Sequence, residues 1–556
     1  MSKIKIALIL SVALSIFAPN ATNACTNFLI TKKASADGST MISYAADSHD
    51  LFGELYYWPG QEWPDDAMLD IHEWDTGKYL GQIKQAPKTY TVIGNMNENQ
   101  VSIGETTYGG RSELKDSTGV IDYGSLIYIA LQRSRTAREA IKIMTDLVAE
   151  YGYYSSGESF SIADPNEVWI MEMIGKGVGN KGAVWVAQKI PDGMVSGHAN
   201  QARITQFPLN DEENCLFSKD VISFAKEKGY FKGKNKDFSF ADAYAPLDYG
   251  ALRFCEARVW SGFRIMNPEM EKYEGFVTGE STERMPLWIK PAKKLSYQDI
   301  QNIMRDHFEG SSMDMTKDPG AGPFKRPYRF RPLTWKVDDE TYFNERAIAT
   351  QQTGFSFVAQ MRNWLPNPVG GVLWFGVDDA ATSVYVPMYC GINSIPEEFA
   401  VGNGNLLEFS WTSAFWVFNW VSNQAYARYN YMVEDIKKVQ KELEDKFAIN
   451  QQAIEQAARN LYDLDPKLAK DFLTDYTLNQ SSLTVTRWKK LGEFLMIKYL
   501  DGNLHPEEGG KFLRNEHGNP AHAEFPGYDQ NFYKKIADET GDRLKMKKLP
   551  GEEASH

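Results

Sequence analysis

The sequence predicts an α+β protein, and three observations carry that reading. Strand-like runs recur in pairs around turn signals through the first two thirds of the chain. Amphipathic stretches with helical spacing separate those pairs, and a long helical segment follows them.

Taken in order, residues 1–24 read as a secretory signal peptide. Lys3 and Lys5 form its positive start, "IALILSVALSIFA" its apolar stretch, and "PNATNA" places Ala24 just before the expected cut. The stretch is short for a bilayer span, and no later run reads as a membrane helix, so stable membrane insertion is not expected. The expected location is exported, periplasmic or extracellular. "TNFLIT" and "STMISYAAD" then read as two strands joined through "KKASADG". "TYTVIGNMNENQVSIGETTYGG" repeats the arrangement on an Asn-rich turn, "SFSIADPNEVWIMEMIG" on "DPNE", "GAVWVAQKIPDGMVSGHANQ" on "PDG", and "GGVLWFGVDDAATSVYVPMY" on "DDAAT".

Two helical stretches stand out among these hairpins. "SLIYIALQRSRTAREAIKIMTDLVAEYG" ends at Gly152, and "SYQDIQNIMRDHFEG" opens on Ser296 with Asp299 three residues later, a capping pattern. Further on, Ile436, Val439, Leu443 and Phe447 recur at helical spacing, and "FSWTSAFWVFNW" reads as a buried contact of that helical part. The expected organisation is the leader (1–24), a catalytic domain (25–400), a helical segment packed on it (401–500) and a polar, loop-rich tail (501–556).

Composition narrows the function classes. The formal charge is −13, or −15 once Lys3 and Lys5 are removed, with no Lys/Arg block or zinc-finger spacing, so nucleic acid is not an expected partner. The four cysteines, Cys25, Cys215, Cys255 and Cys390, contain no CxxC pair, which argues against a thiolate metal site. A Cys215–Cys255 bridge is conceivable; buried apolar thiols are the plainer reading. His517 and His522 flank a Gly/Pro loop without the carboxylates a metal would want. No cofactor or metal is expected.

The chemistry concentrates on Cys25, which would become the first residue once the leader is cut. The attacking form of cysteine is the thiolate, an ordinary thiol has a pKa of about 8.5, and so a base is needed. A free α-amine on the same residue, of pKa about 7.7–8.0, can take the thiol proton and later deliver it to a leaving amine. The ammonium so formed wants a carboxylate. Asp47 ends the next strand, and one hairpin can bring it beside Cys25. His49, close to Asp47 in sequence, is unnecessary as a base. Taken alone, Asp47 would cap a turn, Asn200 would sit in one, and Arg258 would be a surface helix residue. Glu105 and Arg111 line the pocket or are simply solvated.

The segments "CTNFLITKKASADGSTMISYAAD", "NENQVSIGETTYGG", "ESFSIADPNEVWIMEMIG", "VWVAQKIPDGMVSGHANQARI", "EARVWSGFRIMNPE" and "WFGVDDAATSVYVPMYCGI" recur in the order of a known family. The chain resembles the dipeptidase A family of cysteine N-terminal nucleophile (Ntn) hydrolases, relatives of choloylglycine hydrolases and penicillin V acylases. The resemblance implies an αββα sandwich of two antiparallel sheets flanked by helices. It also implies hydrolysis of dipeptides or small peptide amides through a thioester, with a small peptide as the partner molecule. It makes Cys25 the nucleophile, Asp47 the carboxylate that orients its amine, Asn200 a hydrogen-bonding amide and Arg258 a site-lining cation. Where choloylglycine hydrolases carry an Arg three residues before that Asp, this chain has Tyr44. Where they use an oxyanion Asn, the matching place falls near Thr106, whose hydroxyl or backbone N–H would take the role.

Two alternatives stay open at this stage. One keeps the chemistry and takes an N-acyl amide such as a bile salt or penicillin V. The other is a lipid-anchored binding protein modified at Cys25, although Thr22 stands where a lipoprotein signal wants an aliphatic residue. The sequence leaves side-chain preference and homo-oligomer formation undecided.

Overall fold

The computed structural model describes residues 25–547; the leader expected over 1–24 lies outside them, as do the last residues of the tail. The strands of the two large sheets are β1 Asn27–Ile30, β2 Thr40–Asp47, β3 Tyr57–Trp58, β4 Val92–Ile93, β5 Met96–Asn97, β6 Ser102–Gly109, β7 Gly157–Ala163 and β8 Val168–Gly175. They continue with β9 Ala183–Lys189, β10 Val195–His198, β11 Cys215–Phe217, β12 Trp288–Ile289, β13 Thr353–Met361, β14 Val372–Val377 and β15 Val386–Tyr389. They build a seven-stranded sheet in the order β12-β10-β1-β2-β13-β14-β15 and an eight-stranded sheet in the order β11-β9-β8-β7-β6-β5-β4-β3. Neighbouring strands run antiparallel in both sheets. Strands β1 and β2 lie against β6 and β7, so the two sheets face each other.

Helices cover the outer faces. The principal ones are α1 Tyr123–Arg133, α2 Ala137–Tyr151, α3 Ala257–Met266, α4 Tyr297–Ile303, α5 Ala414–Ala427, α6 Tyr429–Leu464 and α7 Pro466–Lys498. Helices α1 and α2 pack on the second sheet, where Leu126, Ile129, Ile141 and Met144 meet Phe160, Ile162, Trp169 and Met171. Helices α3 to α7 pack on the first. Every residue of β2 and β13 is buried, because both faces of that sheet are covered.

Local chemistry explains the helix ends. The stretch expected as one helix over "SLIYIALQRSRTAREAIKIMTDLVAEYG" is two. Ser134 ends α1 in extended backbone, and Thr136 caps α2 by accepting the Glu139 N–H. Gly152 closes α2 at φ 82°, a conformation glycine adopts at no steric cost. Ser296 and Asp299 form the expected capping box of α4.

Two expectations about local structure are corrected. "PDG" does not turn a hairpin: β9 pairs with β8 and β11 in one sheet, whereas β10 pairs with β1 and β12 in the other. The turn chemistry is real, but it carries the chain between sheets. "FSWTSAFWVFNW" is buried only in its second half: Phe415 and Phe418 join the core, while Phe409 and Trp411 are exposed. All four cysteines are free, as the plainer reading has it, with Cys255 only half-buried, and no Cys215–Cys255 bridge forms. Ile436, Val439, Leu443 and Phe447 are buried together along α6, as their spacing predicts.

Asp378, at the end of β14, ties helix α5 to this sheet. It accepts from Asn419 Nδ2 at 2.8 Å and Ser422 Oγ at 2.6 Å. Burial nevertheless raises its carboxyl to about 7, with Asp379 adding to the push. An unfolded aspartate releases its proton near pH 3.9, so the folded state holds the extra proton between those limits. Stability from this site is therefore full below about pH 4 and lost as pH rises through about 7. Asp378→Asn should flatten that slope by an amount on the order of 1 kcal/mol per pH unit. Melting temperatures of both proteins between pH 4 and 8 measure it.

Candidate active site

Cys25 lies at the start of β1, where Thr26 and Ala45 exchange backbone hydrogen bonds at 3.3 and 3.0 Å. That antiparallel register carries Asp47, at the end of β2, to the nucleophile, and the backbone N–H of Asp47 faces the sulfur. The thiol is 5% exposed. Burial raises its pKa well above the ordinary value, helped by the charges of Glu105 and Asp47 and opposed by the Asp47 N–H and the Tyr44 hydroxyl. The resting sulfur is thus a neutral thiol.

Asp47 is itself buried. Arg346 Nη2 donates to Oδ2 at 2.6 Å and Thr353 Oγ1 to Oδ1 at 2.6 Å, while Gln352 donates to its backbone carbonyl at 3.3 Å. Burial still raises the carboxyl, against the pull of Arg346, Thr353 and Arg258.

Arg258, on α3, is the fully buried hub of the other side. Its Nη1 donates to the Cys25 carbonyl at 2.5 Å and to Thr26 Oγ1 at 2.8 Å. Its Nη2 donates to the Ala199 carbonyl at 3.3 Å and to Asn200 Oδ1 at 2.7 Å. Burial, with Arg346 nearby, pulls its pKa down to about 10, which leaves it a cation at neutral pH. Asn200 follows β10 at φ 58°, in the left-handed region that Asn tolerates, and donates from Nδ2 to the Thr107 carbonyl at 2.7 Å. Asn200 therefore links α3 to β6. Cys25, Asp47, Asn200 and Arg258 converge as one constellation, from four separate places in the chain.

Thr106 is placed differently. Its hydroxyl is 2.8 Å from His198 Nδ1, and His198 Nε2 is 2.8 Å from Ser161 Oγ, which binds the sheets together. Burial and Arg203 lower the His198 pKa to about 3, so the ring is neutral. No hydrogen bond between Thr106 and Cys25 is found among the described residues.

Tyr44 and Glu105 do approach the sulfur. Tyr44 Oη is 3.8 Å and Glu105 Oε1 3.6 Å from Sγ, and Tyr44 donates to Glu105 at 2.6 Å. Glu105 and Glu158 are both buried, and burial pushes both carboxyls up, with the charge of Asp75 adding to the push on Glu105 and that of Glu105 to the push on Glu158. Next to them a pocket is lined by Tyr44, Tyr56, Trp58, Trp74, Tyr123 and Phe355. Arg111 stands apart, donating to the Ala243 carbonyl and stacking on Tyr230 at 3.9 Å. His49 lines a different cavity, with Arg326, Tyr328 and Arg331. His517 and His522 lie in the exposed tail. Among the described residues, no group of three or more His, Cys, Asp or Glu side chains converges as metal ligands would.

Sequence reasoning did not single out Arg346, His198 or Glu158. Arg346 sits in a polar stretch with no periodicity to mark it. The one readable signal for the acids is "GETTYG" and "GESFSI", two strand-like runs that each place a glutamate inside.

The family model described as Peptidase family C69 matches residues 24–442. A "Probable dipeptidase" of Latilactobacillus sakei is 27% identical over 399 residues, covering 68% of this chain and 76% of that protein. A "Probable dipeptidase" of Salmonella dublin is 25% identical over 398 residues, 66% of this chain and 81% of that one. "Probable dipeptidase B" of Lactococcus lactis is 22% identical over 489 residues, 85% and 94% of the two chains.

Proposed function

Since the chain belongs to peptidase family C69, we propose that it is an exported cysteine dipeptidase built on the Ntn-hydrolase sandwich. Its nucleophile is the mature N-terminal Cys25. The observation that carries this reading is the convergence on Cys25: a buried thiol, the residue's carbonyl clamped by Arg258, with the Asp47 carboxylate alongside. A thiol held in its neutral form needs a base at the moment of attack. The α-amine exposed by removal of residues 1–24 supplies one on the same residue.

Sγ attacks the scissile carbonyl as its proton passes to the amine, and Asp47 steadies the ammonium. That proton leaves with the departing amine. Water then hydrolyses the thioester with the α-amine again as base. Asn200 and Arg258 stabilise charge at the carbonyl. The Thr106 hydroxyl is held by His198 rather than aimed at the nucleophile. The family match begins at Ala24, one residue before the proposed mature start. The dipeptidase names of the relatives support the substrate class. The enzyme works in the periplasm or outside the cell.

A panel of free dipeptides, penicillin V and a conjugated bile salt, with the intact mass of the purified mature protein, tests this. Dipeptide cleavage by a chain starting at an unmodified Cys25 is expected. A different mature start, an acylated Cys25, or cleavage of the N-acyl amides alone overturns it.

A further inference from the structure

We propose that Glu105, oriented by Tyr44, is the acceptor for the free ammonium group of the substrate and so restricts the enzyme to peptides with an unblocked amino terminus. This assignment rests on the dipeptidase reading and names what makes that site selective.

Sγ attacks a carbonyl carbon from about 3–3.5 Å, and in a dipeptide the amino nitrogen lies about 2.5 Å from that carbon, across one Cα. Wherever the substrate sits, its ammonium falls within a few ångströms of the sulfur. Glu105 Oε1 is 3.6 Å from Sγ, inside that radius. Tyr44 donates to the same oxygen at 2.6 Å and fixes its direction. The Tyr44 ring is itself held edge-on between Phe355 and Phe357.

The charge around Glu105 is unbalanced. Glu158 lies beside it in the neighbouring strand, and Oε2 of each carboxylate is buried without a hydrogen-bond donor. Asp75, held by the Tyr123 hydroxyl at 2.8 Å, adds a third acid close enough to be felt by both. Among the described residues, none of these three acids forms an ion pair with Lys, Arg or His. A carboxylate buried in this way is costly unless its charge is matched. One ammonium matches it.

The sheet makes the approach possible. Strand β6 pairs with β5 only at Ser102↔Met96, so beyond that point this edge of β6 carries no strand. The aromatic pocket adjoining Tyr44 and Tyr123 gives the first side chain of the peptide a place to lie. An N-acyl group in the same position would bury a carbonyl oxygen against Glu105, acceptor against acceptor, with no charge to offset the acid.

The test compares one dipeptide with its N-acetylated form on wild type, Glu105→Gln and Glu105→Asp. Wild type should prefer the free amine by about 100-fold or more in kcat/KM. Glu105→Gln should raise KM for the free dipeptide about tenfold or more, change kcat less, and erase most of that preference. Glu105→Asp should recover part of it. Should Glu105→Gln fail to fold, inhibition of wild type decides: an amino acid amide should compete, and its N-acetyl form should not. The assignment is overturned if wild type cleaves free dipeptides and Glu105→Gln keeps the preference, loses kcat alone, or weakens both substrates equally. Equal inhibition by the two amides overturns it as well. If wild type cleaves only blocked substrates, the dipeptidase reading falls with it.

Discussion

Cys25→Ser should lower turnover by at least about 10³-fold while leaving the melting temperature nearly unchanged. The loss is chemical. A neutral sulfur can surrender its proton to an amine of pKa about 8, whereas a serine hydroxyl is far harder to deprotonate by so weak a base. The fold should persist because Cys25 is a free thiol held by weak contacts at 3.6 and 3.8 Å, and a hydroxyl can reach the same partners. Active-site titration and a thermal melt on the same preparation separate the two effects. Near-normal turnover in the serine variant would remove Cys25 as the nucleophile. A chain that keeps Ala24 should be as inactive as the variant, because its Cys25 nitrogen is an amide.

The second large effect is expected at Asp47. Its carboxylate is the anion felt by Arg346, Arg258 and Arg331 together, and the Arg346 contact is buried on both sides. Asp47→Ala takes away the charge that offsets these guanidiniums, and removing one member of a buried pair costs about 3–5 kcal/mol. Denaturant midpoints measure that cost. The double variant Asp47→Asn with Arg346→Met should recover much of the stability, since replacing both partners removes the mismatch. It should not recover turnover, because the ammonium on Cys25 would still lack its carboxylate. Recovery of both would make Asp47 a purely structural residue.

Much of this architecture was legible in the linear chain, and the parts that were not share a cause. The hairpins, the Ser296–Asp299 cap and the apolar stripe of Ile436, Val439, Leu443 and Phe447 depend on neighbours within a few residues, which a sequence displays directly. "PDG" was misread because turn residues state that a chain bends, not which sheet receives it. Taken alone, Arg258 reads as a surface helix residue, and only the resemblance places it at the site, because nothing local reveals that Cys25, Thr26 and Asn200 surround its guanidinium. Arg346 reaches Asp47 across 299 positions and Glu105 reaches Cys25 across 80, distances at which no spacing rule operates. Tyr44 was visible as an odd residue in a motif. Only the folded chain shows it leaning on a glutamate.

The two long helices α6 and α7 do more than extend the chain. Glu455 of α6 binds Arg362, at the end of β13, at 2.6 Å, and Glu444 binds Arg305, just past α4, at 2.6 Å, while α7 lies along β15. A fragment ending near residue 400 would strand those arginines and bare an aromatic flank of the nucleophile's own sheet. The carboxy-terminal third is therefore the outer wall of the catalytic body, and gene truncations that spare every reacting group should still yield aggregates rather than a smaller enzyme.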